Sequence, residues 1–308
     1  MGTPLLVRVG QAQFAPVFGD YAANVARFGE LASQALDERC DLLVLPETSL
    51  SGYFLEGAVL DVARTGEEVL ADLAESFAQR CPSGSPLDVL VGFYELFEGN
   101  VFNAALYATL GAIGGPRARH IHRKMFLPTY GVFDEQRFVA RGRSLRAFTT
   151  RFGPMAILIC EDVWHSVTAT ILALRGARFI HAISSSPARG FGTDPPWNVR
   201  KWIDLLQVIA EEHAVFVTHT ARVGFENGKG FGGGSAALTP DGAVVTQGPT
   251  IEEALLCTTF DMRDLQVARV RQPLVTDLEA VAADLALELG DAARHVRSSA
   301  VAGEEVED

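Results

Sequence analysis

The sequence predicts one α/β domain built from two sheets, with a layer of helices on each outer face. Three observations carry this reading. Short apolar runs such as DLLVLP (Asp41–Pro46) and MAILIC (Met155–Cys160) have the composition of strands buried on both faces. Segments with apolar residues at helical spacing alternate with such runs from one end to the other. No Pro-, Gly- or Ser-rich linker divides the 308 residues, and no repeat of about 20 to 50 residues runs through them.

Leu5–Gln13 alternates apolar and polar residues and reads as a strand. Tyr21–Leu36 carries Val25, Phe28, Leu31, Ala32 and Ala35 on one helical stripe. Asp41–Pro46 is the next strand and Gly66–Arg80 the next helix. Asp88–Leu96, Val101–Leu110 and His120–Lys124 read as strands, with GAIGGPR, from Gly111, turning between the last two. The second half repeats the rhythm: strand Met155–Cys160, helix Val163–Arg175, strand Arg178–Ser184, helix Trp197–Glu212, strand Ala214–Thr220. Ser235–Thr239 and Ala243–Thr246 flank Pro-Asp-Gly as a hairpin. Leu255–Asp261 is a last strand, Asp277–Arg297 a C-terminal helix, and AGEEVED an acidic tail.

Lysine and arginine total 26 against 38 aspartates and glutamates, a net charge of −12. That balance argues against nucleic acid or an anionic membrane as partner. No apolar run approaches the roughly 20 residues of a membrane span. The N-terminus, MGTPLLVRVGQAQF, lacks the layout of a signal peptide. Cys40, Cys81, Cys160 and Cys257 are too few and too scattered for a disulfide framework, so a cytoplasmic protein is expected. No histidine spacing suits a metal: His120 and His122 share a strand face without a third ligand. Gly228, Gly230 and Gly233 satisfy G-x-G-x-x-G, but they lead into a strand rather than a helix. They read as a turn, and no cofactor is expected.

Three segments end an apolar run with a reactive group where a loop should begin: LVLPETSLSGY with Glu47, HIHRKMFLPTYGVFDEQRF with Lys124 and Glu135, and AILICEDVWH with Cys160. Strand ends are where α/β folds place their sites. Singly, such residues are commonplace as a solvated Glu, a surface Lys and a packing Cys. Together they supply a nucleophile, a base for its proton and a cation for developing charge, the parts of an acyl-transfer site. His165, five residues after Cys160, is expected to point away from the sulfur.

In this order and spacing, PETSLSGY, HRKMFLPTYGVFDEQRF and ICEDVWH resemble the nitrilase, or carbon–nitrogen hydrolase, superfamily, over about Leu5 to Asp261. The resemblance implies a four-layer α-β-β-α sandwich over residues 1–262, with 263–308 as a helical extension ending in the acidic tail. It implies that Glu47 is the general base, Cys160 the nucleophile, and Lys124 an oxyanion donor beside the backbone N–H of Glu161. Glu135 would position substrate and Lys124; a structural ion pair is the other reading. The remaining cysteines match no family motif and read as inert. The family also implies a homodimer or higher homo-oligomer, a small-molecule amide substrate, and no metal.

In the amide-cleaving branch, and in the glutaminase domain of glutamine-dependent NAD synthetases, the lysine motif is similar. Glu161, Tyr130 and Ser186 occupy the places that contact glutamine there. A basic residue of that domain corresponds to Gly192 here, while Arg189 and Arg200 are off register. The chain stops at 308, so a stand-alone amidase is expected rather than a synthetase, with glutamine disfavoured. Tyr53, Phe54, Tyr130, Phe133 and Trp164 are expected to wall the cleft, and Arg189 to meet a substrate carboxylate. The expected reaction is hydrolysis of a small linear amide or N-carbamoyl compound through a cysteine thioester. The alternatives are a nitrilase, or an idle family member serving as a binding partner.

Overall fold

The computed structural model describes residues 6–81, 85–189 and 195–304. In chain order the strands are β1 (Leu6–Gln13), β2 (Leu42–Val44), β3 (Leu87–Phe97), β4 (Asn100–Leu110), β5 (Arg117–Arg123), β6 (Phe148–Thr150) and β7 (Gly153–Ile159). They continue with β8 (Phe179–Ser184), β9 (Phe216–Ala221), β10 (Val223–Glu226), β11 (Lys229–Gly232), β12 (Ala236–Leu238), β13 (Val244–Gln247) and β14 (Ala254–Asp261). The helices are α1 (Tyr21–Asp37), α2 (Val59–Val62), α3 (Gly66–Arg80), α4 (Ser166–Leu174), α5 (Trp197–His213), α6 (Arg263–Arg271) and α7 (Leu274–Glu304).

Twelve strands form two six-stranded sheets, ordered β14-β1-β2-β3-β4-β5 and β13-β12-β9-β8-β7-β6. Strand alternation makes the layers. Leu42, Val44, Leu90, Ala105 and Tyr107 face the second sheet and share a core with Ile157 and Ile159. Their neighbours Leu43, Leu45, Val89, Val91 and Leu106 face the other way, onto Phe28, Leu31, Leu73 and Phe77 of α1 and α3. Helix α5 covers the second sheet with Trp202, Leu206 and Ile209. The expected α-β-β-α sandwich is the fold.

Local chemistry sets the helix starts. Asp20 accepts the Ala23 N–H at 2.9 Å to cap α1. At α3 the Thr65 hydroxyl accepts the Glu68 N–H at 3.2 Å, while the Glu68 carboxylate accepts the Thr65 N–H at 2.8 Å.

β1, β2 and β3 run parallel, as do β7, β8 and β9. β4 reverses direction and β5 reverses it again, so β2, β3 and β5 point one way. Segments following β2, β5, β7 and β8 meet. Gly92 of β3 lets the chain after β2 lie against it: a Cβ there would stand 2.5 Å from both the Pro46 O and the Thr48 N.

Four expectations change. The helix expected from Val163 starts at Ser166, because Cys160–Trp164 is a tight 3₁₀ turn. The glycine-rich run is not merely a turn: it builds the hairpin β10–β11, with Gly228 at φ 73° in its bend. The C-terminal helix spans Leu274–Glu304, and α6 precedes it unforeseen. Strand β6 was also unforeseen. Most of the acidic tail lies outside the described residues, as does Gly192. Among the described residues, no helix is long and apolar enough to cross a membrane.

Candidate active site

Glu47 follows Pro46 after β2, and the next residue, Thr48, is left-handed at φ 49°. The Glu47 side chain is fully buried. Its Oε1 accepts from Lys124 Nζ at 2.8 Å and from Asn103 Nδ2 at 2.8 Å. Its Oε2 accepts the Ser185 N–H at 2.5 Å, and the Ser185 hydroxyl donates to the Glu47 carbonyl at 2.9 Å. Three segments distant in sequence thus fix one carboxylate.

Lys124, also fully buried, leaves the end of β5. Besides Glu47 it donates to Glu135 Oε2 at 2.7 Å. An ammonium has three N–H bonds, so one is left over. Glu135 also accepts from Asn103 at 2.5 Å and from the Tyr53 hydroxyl at 3.1 Å. Burial alone would pull the Lys124 pKa down, but the Glu135 and Glu47 charges outweigh it and hold the ammonium well above its ordinary value. Burial pushes the Glu135 carboxyl up, against the pull of Lys124.

Cys160 opens the 3₁₀ turn at φ 47°, a conformation a non-glycine residue adopts only when its surroundings enforce it. The enforcement comes from Asp162. Its Oδ2 accepts the Ile159 N–H at 3.2 Å and lies 3.0 Å from His122 Nε2. Its Oδ1 accepts the N–H groups of Met125 and Phe126 at 2.9 and 3.0 Å. One buried carboxylate therefore ties the cysteine turn to the segment after Lys124. Cys160 is 5% exposed. Burial raises its pKa well above the usual thiol range; the Glu47 charge pushes the same way and Lys124 opposes. The resting group is the neutral thiol, beside a carboxylate able to take its proton.

Tyr130 is half exposed, and its hydroxyl donates to Glu161 at 2.9 Å. The exposed Arg189 guanidinium stands 5.9 Å from the Tyr130 ring and 5.4 Å from the Phe133 ring. Phe133 packs into a buried cluster with Tyr53, Phe54 and Phe231. Tyr53 lines a cleft together with Phe54, but it is largely buried, and its hydroxyl donates to Glu135. Trp164 turns towards Trp202, edge to face at 5.5 Å, and packs against the core between the layers. Ser186 sits next to Ser185, its hydroxyl 3.5 Å from Asn198 Nδ2. His165 stacks on Phe126 at 3.7 Å. A cleft of about 210 Å³ reaches the network from the Glu135 side, past Phe54, Phe138 and Lys229. Glu47, Lys124 and Cys160 do not line it. Among the described residues, no group of three or more His, Cys, Asp or Glu side chains could hold a metal ion.

Several members of this arrangement were not read from the sequence: Asn103, Asp162, Ser185 and the pair Arg222–Glu226. Asn103 carries the plainest signal, as one polar residue inside the apolar strand VFNAALY. Glu226 is buried against Arg222 and accepts the N–H groups of Tyr53 and Phe54 at 3.0 and 3.1 Å, which fixes the backbone carrying Tyr53.

A carbon–nitrogen hydrolase family model matches residues 6–270. The glutamine-dependent NAD(+) synthetase of Thermotoga maritima is 32% identical over 267 residues, covering 86% of this chain and 44% of that protein. The chain spans about half the length of the curated relatives it matches. Among solved structures, the glutamine-dependent NAD+ synthetase of Acinetobacter baumannii superposes with a TM-score of 0.72 at 26% identity, over 85% of this chain and 47% of that one. A carbon–nitrogen hydrolase from Helicobacter pylori G27 superposes with a TM-score of 0.77 over 89% of this chain and 95% of that one. At 20% identity, that likeness speaks for the fold alone.

Proposed function

The chain belongs to the carbon–nitrogen hydrolase family, and from that premise we propose that it is an amidase working through a thioester on Cys160. The observation that carries the proposal is the buried Lys124 held between Glu47 and Glu135, with the Cys160 thiol in their field. Glu47 takes the thiol proton as sulfur attacks the amide carbon. The remaining N–H of Lys124 and the backbone N–H of Glu161 receive the oxyanion, a type of stabilisation often dominant in acyl transfer. The proton on Glu47 passes to the leaving nitrogen and ammonia departs. Water, deprotonated by Glu47, then attacks the thioester; the acid leaves and the thiol is restored. Asn103 and Glu135 keep Glu47 and Lys124 in place between the two steps.

The substrate is a small linear amide. Tyr130 and Glu161 offer a polar pair for an ammonium or amide N–H, and Arg189 offers a partner for a carboxylate. Glutamine, disfavoured on the sequence alone, returns as the first compound to try, because relatives matching 86% of this chain are glutamine-dependent enzymes.

An ammonia-release screen over glutamine, other ω-amides, aliphatic amides, N-carbamoyl amino acids and nitriles tests this reading. Carboxylate-bearing ω-amides are expected to react fastest. Arg189→Ala is expected to raise KM about tenfold or more for them and to leave carboxylate-free amides unchanged. Ammonia from nitriles alone would remove the amidase reading. An Arg189→Ala variant without effect would remove the carboxylate contact and leave the chemistry standing.

A further inference from the structure

Two thiols outside the site meet across a strand. Cys40 lies in the turn between α1 and β2, its N–H bonded to the Ala35 carbonyl at 2.8 Å. Cys257 lies on β14, opposite Gly10 of β1. Strand β1 runs between β14 and β2, so the cysteines approach from its two sides. Position 10 leaves the room for this: a Cβ there would stand 3.0 Å from the Cys40 sulfur. Over the gap the two sulfurs are 3.6 Å apart, though 217 residues separate them in sequence. Both are free thiols.

We propose that Cys40 and Cys257 are an oxidisable pair that closes to a disulfide by exchange with a small oxidised disulfide such as oxidised glutathione. Closure needs the sulfurs about 1.5 Å nearer, towards the ~2.05 Å of a bond, a movement that small rotations about χ1 supply. The order of events follows from exposure. Cys40 is 5% exposed, whereas Cys257 is partly open to solvent, so Cys257 meets the oxidant first. Burial, then the neighbouring Cys257 charge, pushes the Cys40 thiol up to about 12, which keeps it from starting the reaction.

The Cys257 thiolate attacks one sulfur of oxidised glutathione, forming a mixed disulfide and releasing one glutathione thiolate. That thiolate accepts the Cys40 proton. The Cys40 sulfur then attacks the Cys257 sulfur, and the second glutathione leaves as a thiolate. Two protein thiols are oxidised and one small disulfide is reduced to two thiols, so electrons and protons balance. Strand β14 is a sheet edge, paired only with β1, and the chain continues from it into α6 and α7. The new bond therefore staples that edge to the turn after α1, closing a very long loop.

The test uses the full chain, as wild type and as Cys160→Ala, which removes the thiol of the proposed nucleophile. Each is incubated with oxidised glutathione and read by intact mass and non-reducing peptide mapping. The expected product is about 2 Da lighter than the reduced protein, with the peptides of Cys40 and Cys257 joined. Its melting temperature rises by roughly 5 °C or more, and a reducing agent reverses the rise. In the Cys160→Ala background, Cys40→Ser is expected to stop at glutathione on Cys257 and Cys257→Ser to give neither adduct nor bridge; with Cys160 present, Cys257→Ser is expected to keep the normal amidase rate. If Cys40→Ser does not fold, Cys40→Ala serves for the same step. A bridge involving Cys81, or a wild type that keeps glutathione on Cys257 without closing, would overturn the proposal, as would no reaction at either residue.

Discussion

Replacing Cys160 by alanine is expected to abolish amide turnover, by about 10³-fold or more, and to leave the fold in place. The two effects separate because the sulfur is small and its turn is held by others. Asp162 fixes the Ile159, Met125 and Phe126 amides, and none of those bonds passes through the Cys160 side chain. The chemistry has no substitute. The hydroxyl of Ser185, whose backbone N–H bonds the base, already donates to the Glu47 carbonyl and is fully buried. Steady-state ammonia release and thermal unfolding of the same preparation check both halves. Residual turnover above about 1% of wild type would remove Cys160 from the nucleophile's role.

Lys124→Met is expected to damage activity and stability together. The substitution keeps the stem and removes the cation, leaving Glu47 and Glu135 buried beside Asn103 with nothing to offset them. Removing one partner of a buried ion pair costs about 3 to 5 kcal/mol. Loss of an oxyanion donor costs about 10² to 10³ in kcat. The stability loss carries a pH signature. Burial already raises the Glu135 pKa, and Lys124 holds it down; without the lysine it rises further. A carboxyl whose folded pKa exceeds its unfolded value favours folding below the unfolded pKa, and that contribution fades as pH rises through the folded one. The deficit relative to wild type should therefore be small in acid and grow towards neutral and alkaline pH. Urea unfolding of both proteins near pH 5 and pH 8 measures this. An equal deficit at the two values would contradict the buried-charge account.

Much of the scaffold is legible in the sequence because it rests on local patterns. The two-face apolar runs LLVL and MAILI mark central strands, and the helical stripe of Phe28, Leu31 and Ala35 marks α1. Glu47, Lys124 and Cys160 were legible for a related reason, as polar groups that end apolar runs. What escaped depends on contacts between distant segments. Glu226 serves the Tyr53 backbone from 173 residues away, and Ser185 holds Glu47 from 138 away; neither leaves a periodic trace. Nearness to Cys160 in sequence suggests a place for Trp164 in the cleft wall. The left-handed cysteine and the 3₁₀ turn after it re-aim the following residues, and Trp164 faces Trp202 instead. The Cys40–Cys257 contact depends on the register of β14 against β1 and on an absent side chain at Gly10, which neither segment records alone.

The central claim is that a buried, neutral Cys160 becomes a nucleophile because Glu47 takes its proton. Alkylation by iodoacetamide, itself a small primary amide, measures this directly when labelling at each cysteine is followed over time by peptide mass spectrometry. On exposure alone, Cys257 should react before the buried Cys160, whose pKa burial raises further. The account predicts the reverse: Cys160 labels about tenfold or more faster than Cys257, and Glu47→Gln removes that advantage while the Cys257 rate stays unchanged. Labelling of Cys257 ahead of Cys160 in the wild type, or a Cys160 rate indifferent to Glu47→Gln, would contradict it.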